Sequence, residues 1–541
     1  MARINLVRQD DFTGGLNLRA DQFQLAPNES PDLLNVEIDP RGGVFSRGGW
    51  KELGTATGTW SPKRLHPFYG ASPYLMMSTG AGVYYRTTSN FTSLSLTPDA
   101  TWGASFANWG STLYMALGHT TAANKWNGTT LTALTASGTG AWQNDYTNPT
   151  GTHCPKAKLN ITHAGKLWVA NTFEDGVARP NCIRWSHEND PESWAELDFV
   201  EINDGSDGIT GLASFAGQLI VYKTNSMYAI MGYNSDTFQV VELSRKVGAV
   251  SPMAVGVSER GAYSFSWPEG LHYYDGKSLY DIFEPLRPMI TLSNVNAAQT
   301  NKIFVNVINE RIWLSLPYSE SSAVSNPSCS FVYDPSIGRQ GAYTKLSTAL
   351  ARPEGTTETF GISGGCGFVS ADGTSRGLAL HPTRGVVMSV DNYDLPKDTE
   401  IALTQVSFDS YYRTRWIDGG MYVQKKMFRR PTLVAKQVDS NTDIVVDVYH
   451  DYEEENRKRT FTLSLVGSST SLVWRLASLS PLASSQWGTG IWGLGSAGGV
   501  IEDSKALGLC KAVQLKLTGE SGKEWGVNSI TWKFSPRRVR G

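Results

Sequence analysis

The chain is 541 residues long, 40% hydrophobic and only 18% charged, where an average globular chain is roughly 25% charged. Its 48 basic and 50 acidic residues leave a net charge of −2, which excludes a nucleic-acid binder held by bulk charge but not one with a local basic patch. Five widely spaced cysteines with no CxxC pair exclude a zinc ribbon and a disulfide framework, and they fit folding in a reducing cytosol. High glycine (54 residues), 11% aromatics and abundant Thr and Ser predict an all-β protein with many tight turns.

Residues 1–55 have no apolar leader and lack the periodicity that follows. The runs DFTGGLNLRADQFQLAPNES and DPRGGVFSRGGW are turn-rich. They predict an extended arm that closes a ring or reaches a neighbouring subunit. No stretch approaches 18 consecutive apolar residues, so no transmembrane helix is expected.

Residues 56–399 carry a degenerate repeat. GSTLYMAL from Gly110, GKLWVA from Gly165, GQLIVY from Gly217, GAYSFS from Gly261 and NERIWLSL from Asn309 each set a turn residue before a β run. Second halves recur as NKWNGTTLTAL, TNSMYAIMGY and LHYYDGKSLYDI. A spacing of about 44–55 residues is that of four-stranded propeller blades. The pattern predicts a β-propeller of six or seven blades, whose closure protects sheet edges. The alternative is two ordinary β-sandwiches.

From residue 400 the texture changes. DIVVDVYHDY and KAVQLKLTGE alternate strongly, and between them lies the Ser/Gly/Trp-rich SSQWGTGIWGLGSAGGV. Residues 400–541 are predicted to form an antiparallel β-sandwich.

Motifs for chemistry are weak. DGKS at Asp275–Ser278 ends like a phosphate loop, but position 271 is Leu where that loop needs Gly, so a hairpin turn is expected. Two GxSxG matches, at Ser363 and Ser375, do not sit between a strand and a helix as a nucleophile elbow requires. Eight scattered histidines show no metal-ligand spacing. NDGSDG from Asn203 reads as a solvated turn, since it lacks the twelve-residue calcium-loop pattern. SADGTS from Ser370 is only faintly like a sialidase turn, lacks its Trp and does not recur. No catalytic residue, metal site or cofactor is expected.

Two basic clusters stand out. Arg413, Arg415, Lys425, Lys426, Arg429 and Arg430 face one acid, Asp418, and the C-terminal run holds Arg537, Arg538 and Arg540. They predict a docking surface for an acidic partner or a wall beside passing DNA. The bland reading is a salt-bridged face, since Asp451, Glu453, Glu454 and Glu455 lie nearby in sequence. The interleaved Tyr411, Tyr412, Trp416 and Phe428 are expected in the core.

The N-terminal segment, with Phe12, Gly14, Gly15, Leu16 and Asn17, then Asn35, Val36, Gly42, Gly43, Arg47 and Gly48, resembles the start of many bacteriophage tail proteins. YYRTRWIDGGMYVQKKMFRRPTLV, VYHDYEEENRKR, QWGTGIWG and KEWGVNSITWKF are similar to their distal half. The match is to nozzle, tail tubular or packaged-DNA stabilisation type proteins of short-tailed phages, and covers about 180 residues. The resemblance implies a virion structural protein, assembled in the host bacterial cytoplasm and usually present as a ring of six subunits. Its implied partners are the head–tail adaptor, tail fibres or spikes, and viral double-stranded DNA in the lumen. It also implies Phe12, Gly14, Gly15, Asn17, Asn35 and Arg47 as contacts of the arm. The competing reading is a propeller that binds or cleaves glycans at the host surface, which requires carboxylates converging on one mouth.

Overall fold

Turn residues at regular intervals break the chain into short strands, and the computed structural model follows them. It describes residues 4–21, 24–56, 61–87, 90–135, 153–205, 207–319, 324–338, 341–351, 357–392, 397–399, 405–435, 441–465, 473–475 and 507–536. The protein is all-β, with many four-stranded antiparallel sheets, consistent with a propeller-like fold. Among the described residues the α-helix Pro288–Thr291 is a single turn.

The chain divides into two compact units. One holds residues 51–330 and 359–391, the other 1–50, 331–358 and 392–541. The boundaries differ from those expected from sequence, because residues 4–50 and 331–358 fold with the C-terminal strands.

The first unit is a succession of sheets, each a meander from an inner to an outer strand. The inner strands are Pro62–Tyr69, Ser105–Trp109, Lys156–His163, Gly211–Phe215, Val255–Val257, Phe304–Ile308 and Gly364–Val369. Each repeat run read from the sequence is the second strand of its sheet: Thr112–Ala116, Lys166–Glu174, Gln218–Tyr222, Ala262–Ser266 and Arg311–Leu316. The preceding turns have the geometry that tight hairpins need. Ala164 and Gly165 have φ of 47° and 68°, Ala216 and Gly217 51° and 73°, and Asn309 and Glu310 52° and 60°. Two successive positive φ values match the right-handed strand twist.

Neighbouring sheets stack face to face. Met76 and Trp126 share a core between the first and second sheets, and Trp168, Ile183, Leu219 and Ile230 share one between the third and fourth. Leu65, Leu75 and Met77 of the first sheet pack with Phe368, Leu378 and Leu380 of the seventh, so the succession closes on itself. Each fully buried side chain of this kind contributes about 1.5–3 kcal/mol. The seventh sheet takes Gly364–Val369, Ser375–Leu380 and Gly385–Asn392, then Gly49–Ala56 as its fourth strand.

The second unit is built on two larger sheets, beside the short parallel pair Gly15–Leu16 and Glu29–Ser30. In one, Val473–Arg475, Lys426–Ala435, Gly526–Pro536, Val44–Ser46 and Val36–Ile38 lie in that order, with Asn5–Gln9 also paired to Gly526–Pro536. Pro431 cannot donate to a ladder, and the register shifts there, between Arg429 and Thr432. In the other, the order is Leu33–Leu34, Tyr411–Arg413, Val513–Gly519, Thr442–His450 and Arg457–Leu465. The two alternating runs seen in the sequence pair with each other, Ile444 opposite Gly519 and Val448 opposite Leu515. Ile444, Val446 and Val448 are buried while Asp443, Val445 and Asp447 are only half-buried, the alternation expected of a sheet with one covered face. The Ser/Gly/Trp-rich segment lies outside the described residues.

Candidate functional site

Of the six residues singled out in the N-terminal segment, Phe12, Gly15, Asn35 and Arg47 are buried and Gly14 and Asn17 are half-buried, so they do not form a free arm. Phe12 is fully buried and meets Tyr412 edge to face, with centroids 5.2 Å apart. A Cβ on Gly14 would stand 2.8 Å from the Asn28 carbonyl oxygen, and one on Gly15, at φ 65°, 2.7 Å from that of Tyr343. Asn17 donates from Nδ2 to Glu29 Oε1 at 2.9 Å and accepts from the Arg19 and Ala20 amides. Asn35 takes a positive φ of 52° and donates from Nδ2 to the Asp409 carbonyl at 2.8 Å. Its Oδ1 accepts from Arg47 Nε at 3.1 Å and from the Ser347 amide at 2.9 Å.

Arg47 organises this region. Its Nη1 and Nη2 donate to Asp398 Oδ1 and Oδ2 at 2.9 and 2.8 Å, and neither side chain is exposed. Further bonds run from Nη1 to the Gly48 carbonyl and from Nη2 to the Ser347 carbonyl. The guanidinium lies 3.7 Å over the Phe408 ring centroid and 4.8 Å from that of Trp50. Asp398 also accepts from the Trp50 amide at 2.9 Å. A bidentate pair whose donors and acceptors are all engaged can sit in a dry interior. The expected arm is therefore a folded part of the second unit: its apolar side chains and its buried charge both have partners within the chain. Asp398 gave no signal in sequence, being one acid among many in a polar stretch.

The first basic cluster does not form one patch. Arg413 pairs with Glu454 at 3.2 Å and lies 5.2 Å from the Tyr449 ring centroid. Lys426 is fully buried, and its Nζ donates to the Met421 and Gln424 carbonyls, so it closes a loop from inside. Burial pushes its pKa down. Arg415 is half-buried, while Lys425 and Arg429 are exposed. The side chain of Arg430, and Arg537, Arg538 and Arg540, lie outside the described residues. Tyr412, Trp416 and Phe428 are buried in the core, and the Tyr411 hydroxyl donates to Asp32 Oδ1 at 3.0 Å.

The weak chemical motifs have structural roles. Asp275 Oδ1 accepts from the Lys277 and Ser278 amides at 2.8 and 2.7 Å, which makes DGKS a hairpin turn. Ser363 is buried, with Oγ donating to the His381 carbonyl at 3.1 Å. NDGSDG is not a simple solvated turn. Asp204 pairs with the fully buried Lys223 and accepts from Ser226 Oγ at 2.8 Å and the Tyr228 hydroxyl at 2.7 Å. Among the described residues no His, Cys, Asp and Glu cluster is placed to hold a metal.

One groove was not visible in the sequence. Trp185, Phe199, Phe238, Val240, Asp198 and Asp236 line a cavity of about 360 Å³ between the third and fourth sheets. The Trp185 indole donates to Ser235 Oγ at 3.1 Å, which fixes the ring against Phe238.

No family model and no curated protein matches the chain. Among solved structures it is similar to BBS1N in complex with ARL6DN, soaked with lead, at 8% identity and a TM-score of 0.38, covering 63% of this chain and 97% of that one. It is also similar to the extracellular domain of the putative one component system BT4673 from B. thetaiotaomicron, at 7% identity and a TM-score of 0.36, covering 73% of this chain and 43% of that one.

Proposed function

We propose that the chain is a structural protein of a bacteriophage tail, a ring-forming component of the nozzle or tail tube. In this reading a seven-bladed propeller and a β-sandwich unit are repeated around a channel that retains and then releases the genome. The chain links the portal–adaptor complex to fibres or spikes, and six copies form the ring. The observation that carries the reading is the Arg47–Asp398 pair with its Asn35 bridge. The described N-terminal residues that resemble tail proteins are built into one unit with the described C-terminal segments that do so. The resemblance therefore follows one folded module and not two scattered stretches. The exposed Lys425 and Arg429 are available to an acidic partner or to DNA, and the near-neutral charge of the chain suits a channel that lets a polyanion slide.

An electron-microscopy reconstruction of particles containing this chain tests the proposal. Six copies in a ring at the narrow end of a portal-attached tail are expected. A position as a separate appendage, or free monomers, would overturn it.

The groove at Trp185 favours a second reading, a glycan-binding propeller, because aromatic faces beside carboxylates suit a sugar ring. Saturable binding of host-surface oligosaccharide, lost in Trp185→Ala, would move the assignment there.

A further inference from the structure

The outer edge of the fourth sheet differs from those of its neighbours. In the first, second, third and fifth sheets the outermost strand is Thr92–Ser93, Leu131–Ala133, Phe199–Glu201 and Leu279–Asp281, two or three residues each. Short edge strands are one way a sheet avoids unwanted pairing. In the sixth sheet the last strand, Ala342–Leu346, is five residues long but largely buried. The fourth sheet ends in Gln239–Ser244, six residues of which the first four are exposed. Among the described residues nothing pairs with its outer side. Its sequence, QVVELS, has no Pro or Lys to guard the edge, and Val240 and Val241 are 40% and 39% exposed.

The groove at Trp185 adjoins this strand, since Val240 is one of its walls. Leu197, another wall, is 82% exposed. At about 360 Å³ the cavity lies at the low end of small-molecule pockets, roughly 300–1,000 Å³, so it takes a large side chain and not a whole segment. Two carboxylates line it and no cation does. Asp198 is buried and already bonded within the chain, while Asp236 is exposed and makes no ion pair among the described residues. Arg245 and Lys246 follow the strand but are not in the wall, and Arg245 is engaged by Glu242 at 2.7 Å. Donors are scarce in the groove. The Trp185 indole already donates to Ser235, which leaves the Ser235 hydroxyl as the one free donor among the lining side chains.

We propose that Gln239–Ser244 and the groove beside it accept an extended segment of a partner protein by strand addition. The segment's main chain continues the ladder of the fourth sheet, one large apolar side chain fills the groove, and a lysine or arginine faces Asp236. An open strand edge recognises peptide backbone, which a sugar lacks, and a groove poor in donors is a poor match for sugar hydroxyls. The same face of a second copy is a poor occupant, because it presents the same carboxylates. This surface does not depend on whether the chain belongs to a phage tail.

Fluorescence anisotropy of a labelled synthetic peptide, Thr-Lys-Thr-Phe-Thr-Lys-Thr, titrated with the full chain tests this. As a strand it sets lysine and phenylalanine on one face and threonine on the other. Saturable one-to-one binding below about 1 mM is expected. Asp236→Lys should weaken it about tenfold, and the peptide with glutamate in place of lysine should lose as much, since each sets like charges together. Leu197→Lys, at a position 82% exposed, provides a second reading if Asp236→Lys does not fold. A peptide methylated on its amide nitrogens cannot join the ladder and should not bind. Absence of saturable binding by the lysine peptide overturns the proposal. So do folded variants that bind it like the unaltered chain, or equal binding of the glutamate or methylated peptide. Displacement of the lysine peptide by a host-surface oligosaccharide also overturns it, and gives the groove to a sugar.

Discussion

Arg47 and Asp398 stand 351 residues apart in the chain and meet through two parallel hydrogen bonds with neither side chain exposed. Removing one partner leaves the other charged and buried. Asp398→Ala is therefore expected to destabilise the unit by about 3–5 kcal/mol, measured by denaturant unfolding. The double change Arg47→Met with Asp398→Leu should cost less than the single one. If Asp398→Ala unfolds at the same denaturant concentration as the unaltered chain, the pair does not hold the unit together.

A shortened chain tests the same unit differently. Residues 4–50 supply the buried Phe12, Leu16, Leu33, Val36 and Trp50 and a strand on Gly526–Pro536. Deleting residues 1–50 is expected to unfold the second unit, not merely to weaken assembly. Rapid proteolysis of residues 405–536 in the deleted protein is the readout. A protease-resistant C-terminal fragment would show that the N-terminal segment is dispensable for folding.

Gly519 sits under an indole. A Cβ there would be 1.9 Å from Trp525 Cδ1, and that ring is held by a 2.7 Å bond from its nitrogen to Ser410 Oγ. Gly519→Ala is expected to cost about 1–3 kcal/mol through overpacking, seen as a lower melting temperature and a changed Trp fluorescence. An unchanged melt would mean that the indole moves aside freely.

Histidine burial predicts a pH dependence. Burial pushes His66 down to about 4, with Arg64 adding repulsion and a bond to Asn108 opposing it. Burial likewise lowers His163, His272 and His450. Between about 4 and the ordinary 6.5 the unfolded chain binds protons that the folded chain refuses, so stability falls as pH drops through that window. Calorimetric melts should be flat from pH 8 to 7 and decline below about 6.5, the ordinary histidine value. In His66→Gln the slope should be shallower; an unchanged slope would remove His66 from the account.

All five cysteines are buried. Burial raises Cys182 to about 11 and Cys366 to about 12, which keeps them as thiols at neutral pH. A chromogenic disulfide reagent is expected to titrate none in the native chain and five after denaturation. Prompt reaction of one thiol in the native chain would reveal an opening near it.

The local part of this architecture was written in the sequence. Gly165 and Gly217 announce hairpins because glycine takes the positive φ that a tight turn needs, while the positive φ of Ala164 and Ala216 before them has no such mark in the sequence. The alternation of Thr442–His450 marks a half-covered strand because one sheet face is apolar. Long-range partners carry no such local mark. Nothing near Asp398 distinguishes it from an exposed acid, and nothing near Asn5–Gln9 names Gly526–Pro536 as its neighbour. The groove at Trp185 was hidden for the same reason, since its walls come from separate sheets.

The strand Gly49–Ala56 leaves the ribosome before any sheet of the ring exists, while the three strands it completes, Gly364–Asn392, emerge after all the others. Through most of its synthesis the nascent chain therefore carries an open seam. Leu65, Leu75 and Met77 stay uncovered until Phe368, Leu378 and Leu380 arrive. A polypeptide cut short ahead of Gly364 cannot close that seam, and its exposed edges and apolar surface invite chaperones and proteases. Closure thus works as a check that the last sheet of the ring has been made, by which copies broken off before it are removed.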